Sequence, residues 1–361
     1  DTIELETRFP KLAEWEAGET LPTLKQLEKF ARATHVPIGY LFLPAPIEEP
    51  LPIPDFRTLT GRAISRPSPN LLDMLYVCQE RQSWYREFMQ VHRLPGPTFV
   101  GSVTTKSARE DVAQAMRETL DFDLDARRDC PTWAEALRRF IAQADQAGIL
   151  VMVSGVVQNN NRRHLDPDEF RGFALTDELA PLVFINGADT KAAQMFTLAH
   201  ELAHIWLGAS ALSDASPVAV PSQHVESWCN QVAAELLVPL QILRAELKSG
   251  ESLDQTLSRL VRRFKVSSLV ILRRLLDVGW LNRTAFSVAY ADELRRLTHV
   301  TKGSGGNFYL TTAVRVSRRF ARSLVESTLE GQTLYRDAFR MLGISKTKTF
   351  HELGRSLNFL I

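Results

Sequence analysis

Residues 192–207 read AAQMFTLAHELAHIWL, with no proline or glycine and apolar side chains almost all round the helix they imply. Such a stretch is the signature of a helix buried in a core. Its polar members are not scattered. At about 100° per residue, Gln194, Thr197, His200, Glu201 and His204 share one arc of roughly 120°. A buried polar stripe needs a partner, because unpaired polar groups are costly away from water. His200 and His204, one turn apart, can grip a single metal ion, and Glu201 between them can polarise a water on it. Two core histidines bonded to backbone are the plain alternative, and they leave Glu201 unexplained.

Zinc in a hydrolytic site usually takes three protein ligands and keeps a fourth position open for water. A second helix, His224–Val238 (HVESWCNQVAAELLV), is ended by Pro239 and offers Glu226 and Glu235. Nine residues apart, they point to opposite sides of it. Glu235 shares its side with His224, Ser227 and Gln231, the pattern of a solvated face. Glu226 lies among Val225, Cys229, Ala233 and Leu237, on the side that turns inward, where a carboxylate must be paired or bind a metal. Glu226 is therefore the expected third ligand, although a helix-starting glutamate favoured by the dipole has the same look. Asn230, one turn on, is placed to orient a ligand.

The run PLVFINGADTKAAQMFTLAHELAHIWLG (181–208), followed by VESWCNQVAAELLVP (225–239), resembles the ImmA/IrrE family of bacterial metallopeptidases. There an apolar strand ending in Asn precedes the HExxH helix, and a Glu-led helix ending in Leu-Leu-x-Pro follows. The likeness covers roughly residues 100–285. It implies an α+β, zincin-like catalytic domain with a small mixed sheet. By position it places zinc on His200, His204 and Glu226, with Glu201 as base. It also implies that Val183, Phe184, Ile185 and Asn186 form a cleft-lining strand with an edge on which an extended substrate pairs. Family members cleave transcriptional repressors in stress responses or mobile-element induction, so a repressor-like protein is the expected substrate. Members fused to an XRE-type helix-turn-helix often look like antitoxins, and the other expectation is a scaffold that holds a cognate toxin.

Four segments follow from the rest of the chain. Residues 1–46 resemble the end of an XRE-type helix-turn-helix: Trp15-Glu16 precedes Gly18, and a helix capped by Thr23 carries Leu24, Leu27, Phe30 and Ala31. Pro10 interrupts the place of the recognition helix, and the segment is net acidic, which opposes phosphate binding. It is expected to pack or to form a homodimer. Residues 47–99 comprise a proline-rich linker and a long helix at 69–92 with Leu72, Met74, Leu75, Cys78, Trp84 and Phe88 as core. Residues 100–250 form the catalytic domain, with helices at 108–121 and 132–147 and strands at 149–157, 171–176 and 181–186. In the loop after the first strand, His164 reads as a solvated histidine. The Gly cluster at 303–309 lacks the setting of a phosphate loop and reads as a turn.

The last segment, 251–361, is helical and basic. Over 255–361 there are 19 Lys+Arg against 7 Asp+Glu, although the whole chain is only +1. A helix-turn-helix-like unit at 252–283 presents Arg262, Arg263, Lys265, Arg273 and Arg274, which could contact DNA or an acidic partner, or neutralise the acidic remainder. Apolar content of 45% and charged content of 24% are those of a water-soluble chain. The apolar run 149–157 is far too short to span a bilayer. Three widely spaced cysteines form no CxxC pair and point to free thiols in the cytoplasm, with no membrane partner.

Overall fold

A computed structural model describes residues 2–45, 47, 51–54, 67–213, 224–298 and 313–360. In chain order the elements are α1 (Thr2–Arg8), α2 (Leu12–Glu16), α3 (Leu24–Thr34), α4 (Pro69–Val91), α5 (Arg109–Thr119), α6 (Leu124–Arg128) and α7 (Trp133–Gln146). Then come β1 (Leu150–Ser154), β2 (Gly172–Leu175), β3 (Leu182–Asn186), α8 (Lys191–Leu207), β4 (Ala211–Ser213) and α9 (His224–Leu237). The chain continues through α10 (Leu240–Glu246), α11 (Leu253–Phe264), α12 (Ser268–Asp277) and α13 (Arg283–Thr298). It ends with α14 (Arg318–Leu329), α15 (Tyr335–Leu342) and α16 (Thr347–Ser356). The fold is α+β. The Gly cluster at 303–309 and most of the proline-rich linker lie outside the described residues.

The strands form one mixed sheet in the order β1-β3-β2-β4. β1 runs parallel to β3, with Leu150 opposite Leu182, and β2 runs antiparallel to both β3 and β4. Strands apolar at successive positions must be covered on both faces, and they are. Val151, Ala174, Val183 and Ile185 join a core with α7, α8, α9, α11 and α12. Leu150, Met152, Phe173, Leu182, Phe184 and Leu212 point the other way, into a core with α4, α14, α15 and α16. The basic last segment is thus not one unit. Its first part packs with α8 and α9, and residues 313–357 roof the opposite face of the sheet.

The long helix after the linker buries Leu71 where Leu72 was expected, and it buries Arg81, which donates from Nε to the Met341 carbonyl at 2.9 Å. Trp84 is half-buried between Phe88 and Phe320. At the N-terminus, Thr23 and Gln26 form a reciprocal capping box on α3. The three cysteines are free. Among the described residues no helix is long and apolar enough to cross a membrane.

Asp145, buried at the end of α7, fastens the two cores together. It accepts hydrogen bonds from Ser317 Oγ at 2.8 Å and from the Arg319 backbone N–H at 3.2 Å, at the start of α14. Burial raises its carboxyl to about 6, against the pull of Ser317 and the Val151 and Arg319 amides. The unfolded chain protonates only near pH 4, so as pH falls the folded state takes up the proton first. This group's stability term is therefore least favourable above pH 6 and improves towards pH 4, over a range of about 3 kcal/mol. Melting curves should show the wild type gaining on Asp145→Asn as pH is lowered from about 7.5 to about 5.

Candidate metal centre

α8 begins at Thr190, whose side chain accepts from the Ala193 N–H, and ends at Gly208 in the left-handed conformation (φ 72°). Gly208 lies against Gly101, where a Cβ would come within 2.9 Å of the Gly101 Cα. The helix packs along β2 and β3 and against α9. Its stripe of Gln194, Thr197, His200, Glu201 and His204 is wholly buried.

α9 brings Glu226 to the two histidines. His204 Nε2 lies 2.9 Å from Glu226 Oε1, His200 Nε2 lies 3.2 Å from Glu226 Oε2, and the two Nε2 atoms are 3.1 Å apart. Ligand atoms around a tetrahedral ion with bonds of about 2.0–2.1 Å stand roughly 3.3 Å apart. The three side chains thus present their donors to one point, at the spacing an ion requires. Two like imidazole nitrogens facing each other in a dry interior repel unless a proton or a cation lies between them. The cluster has the donors to hold a metal ion.

The electrostatics agree. Burial disfavours the charged form of His200, but Glu226 outweighs it and the ring's pKa rises. For His204 burial prevails and the pKa falls. Burial would raise Glu226, yet the imidazoles, His200 foremost, hold its carboxyl at about 2. Asn230 is close enough to His200 to favour the ring's protonated form. His200 Nδ1 and Asn230 Oδ1 are both buried without a well-directed partner, so a small rotation of the amide pairs them. A cavity of about 360 Å³ opens between Phe196, Asn230, Gln231, Ala234 and Val270, and none of the three donors lines it.

Glu201 lies beneath β2. A Cβ on Gly172 would meet Thr197 Cγ2 at 2.6 Å, the Phe184 carbonyl oxygen at 2.9 Å and Glu201 Oε1 at 3.1 Å. The Phe184 oxygen belongs to the backbone and cannot swing aside. Gly172→Ala should therefore cost about 1–3 kcal/mol in a denaturant titration. Metal affinity should be retained, because the added methyl meets Glu201 rather than the three donors.

Several expectations need correcting. Val183, Phe184, Ile185 and Asn186 lie in β3, but β3 is paired on both sides and buried, so it has no edge to offer a substrate. The outer strand on this side of the sheet is β4. Glu235 does not face solvent: it is buried, ion-paired with Arg274, and accepts the Leu240 N–H at 3.2 Å. The basic residues of the helix-turn-helix-like unit are mostly spent inside the protein. Arg263 pairs with Glu246 and Asp125, Arg273 with Asp277, and Arg274 with Glu235 and Asp277. Lys265 is buried over the Trp133 ring. Arg262 is exposed. His164 and His224 are exposed too, so neither is drawn into the buried triad.

Sequence reading missed what anchors α9. Stopped by Pro239, this helix leaves its last carbonyls without helical partners. Arg117 donates to the Glu235 carbonyl at 2.9 Å, Arg127 to that of Leu237, and Arg274 to that of Val238 at 2.9 Å. Arg127 is fully buried over the Phe122 ring, and burial, then Arg263 and Arg117, pull it down to about 9. Cations near a helix C-terminus are a general signal.

Residues 144–276 match a peptidase family model described as the IrrE N-terminal-like domain. Residues 316–356 match a domain of unknown function. No curated protein matches the chain. The first match holds the whole triad and supports kinship with the ImmA/IrrE peptidases over that stretch.

Proposed function

We propose that this chain is a zinc-dependent metallo-endopeptidase that cuts a regulatory protein such as a transcriptional repressor. The observation that carries the reading is the convergence of His200, His204 and Glu226 on one point, with Glu201 beside them, inside the stretch that matches a peptidase family. Two imidazoles and a carboxylate suit zinc. A bound zinc would supply polarisation of the scissile carbonyl and a more acidic water.

His200 and His204 would hold the ion through Nε2 and Glu226 through its carboxylate, while Asn230 orients the His200 ring. Glu201 takes the proton of the attacking water and delivers it to the leaving amine. Its enclosure under β2 keeps bulk water away, so the proton passes between fixed partners. An extended substrate backbone would pair with β4 in place of β3, because β4 is the outer strand next to β2. A toxin-holding scaffold would leave the triad and Glu201 without a use. The likeness of residues 1–46 to part of an XRE-type unit fits a peptidase that works on repressors.

Metal analysis tests the reading. Purified protein should bind one zinc per chain, and His204→Ala should bind it at least about 100-fold more weakly. Peptide hydrolysis should vanish with a chelator and return with zinc. A wild-type protein that takes up no zinc would sink the proposal.

A further inference from the structure

The β4 edge is already occupied. The Leu212 N–H, which points away from β2, donates to the carbonyl of Pro54 at 3.0 Å. Ile53 beside it is buried in the apolar core behind the sheet, and Leu51 packs against the same core. One residue along β4, Ser213 pairs with Gly172, the glycine whose missing Cβ makes room for Glu201. β4 therefore pairs directly with the residue that borders the proposed proton-transfer group.

We infer that Leu51–Pro54 is a built-in occupant of the edge on which an extended peptide substrate docks, and that it must leave before substrate can pair with β4. This rests on the metallopeptidase reading and names a control of that same site. The composition, Leu-Pro-Ile-Pro, explains why such an occupant can hold the edge and yet be displaced. Pro52 and Pro54 have no backbone N–H to give. Pro54 thus takes the edge's donor at Leu212 and cannot return one from the same residue. A proline-free chain can exchange bonds in both directions with the same edge. It thus forms the fuller ladder and wins the edge once Ile53 is dislodged. The occupant resembles the blunted, proline-bearing edges that prevent unwanted strand pairing, placed here beside a candidate active site.

The test uses the full chain loaded with zinc and carrying Glu201→Gln to prevent cleavage. The probe is fluorescein-labelled, reduced casein, an unfolded chain, followed by anisotropy. Adding Ile53→Asp should tighten casein binding at least about tenfold and speed hydrogen exchange at the Leu212 amide. Should that variant melt early, Ile53→Ser replaces it with the same readouts. Faster Leu212 exchange with unchanged or weaker casein binding would overturn the inference, as would unchanged exchange. Hydrolysis by the chain with Glu201 intact is scored separately. If casein binds more tightly to the Ile53 variant but nothing is ever cut, the occupied edge stands and the peptidase reading falls.

Discussion

Replacing Glu201 by glutamine is expected to leave zinc binding nearly unchanged and to slow peptide hydrolysis by a factor of about 100 to 10,000. Glutamine has the size and shape of glutamate, so it can take the same buried place beside Gly172. The three metal donors, His200, His204 and Glu226, are untouched by the change. What glutamine lacks is the ability to accept the water's proton at neutral pH. Zinc affinity from competition with a chromophoric chelator, alongside single-turnover cleavage, separates the two effects. Wild-type cleavage by this variant would remove Glu201 from the chemistry. Loss of zinc as well would show that Glu201 belongs to the binding site.

Arg274→Ala should destabilise the fold by about 3–5 kcal/mol, the usual consequence of removing one partner from a buried ion pair. It strands the Glu235 carboxylate in the core and frees the Val238 carbonyl at the end of α9. Because α9 carries Glu226, zinc affinity should fall too. Replacing both partners, as Arg274→Met with Glu235→Met, should recover most of the stability, since the cost lies mainly in the abandoned charge. Arg262→Ala, at an exposed position, should change stability by less than about 0.5 kcal/mol. Denaturant titrations of the four proteins decide the matter. A cost below about 1 kcal/mol for Arg274→Ala would mean that the pair does not secure α9.

The metal-site residues could be located in the sequence because helical phase is a local property. Where His200, Glu201 and His204 point follows from their own spacing, and the same phase argument turned Glu226 towards them. It failed for Glu235, whose side of α9 is covered by α12, an element some forty residues later that no helical period announces. The strand at 182–186 shows the same limit. An apolar run looks alike at the centre and at the edge of a sheet, and its place depends on where residues 172–175 dock. Arginine is normally read as a surface residue, so the burial of Arg81, Arg127 and Arg274 was invisible. The orphaned carbonyls before Pro239 called for donors, but only the folded chain shows which arginines reach them. The basic excess after residue 255 was real in number, yet carboxylates such as Glu246, Glu251 and Glu80 sit against it.

The sheet has one further consequence, for modularity. Adjacent residues of a single strand, Gly172 and Phe173, serve different neighbours: the first makes room for Glu201, the second faces α4 and the C-terminal helices. The stretch with recognisable kinship, 144–276, therefore owns only part of one side of its own wall, since α5, α6 and most of α7 complete that core from outside it. Transplanted alone into another gene, it would carry Leu150, Met152, Phe173 and Phe184 bare to water, an invitation to aggregate. The piece that can travel between genomes is larger than the piece that resembles a relative, and residues 69–91, 109–143 and 313–357 have to travel with it.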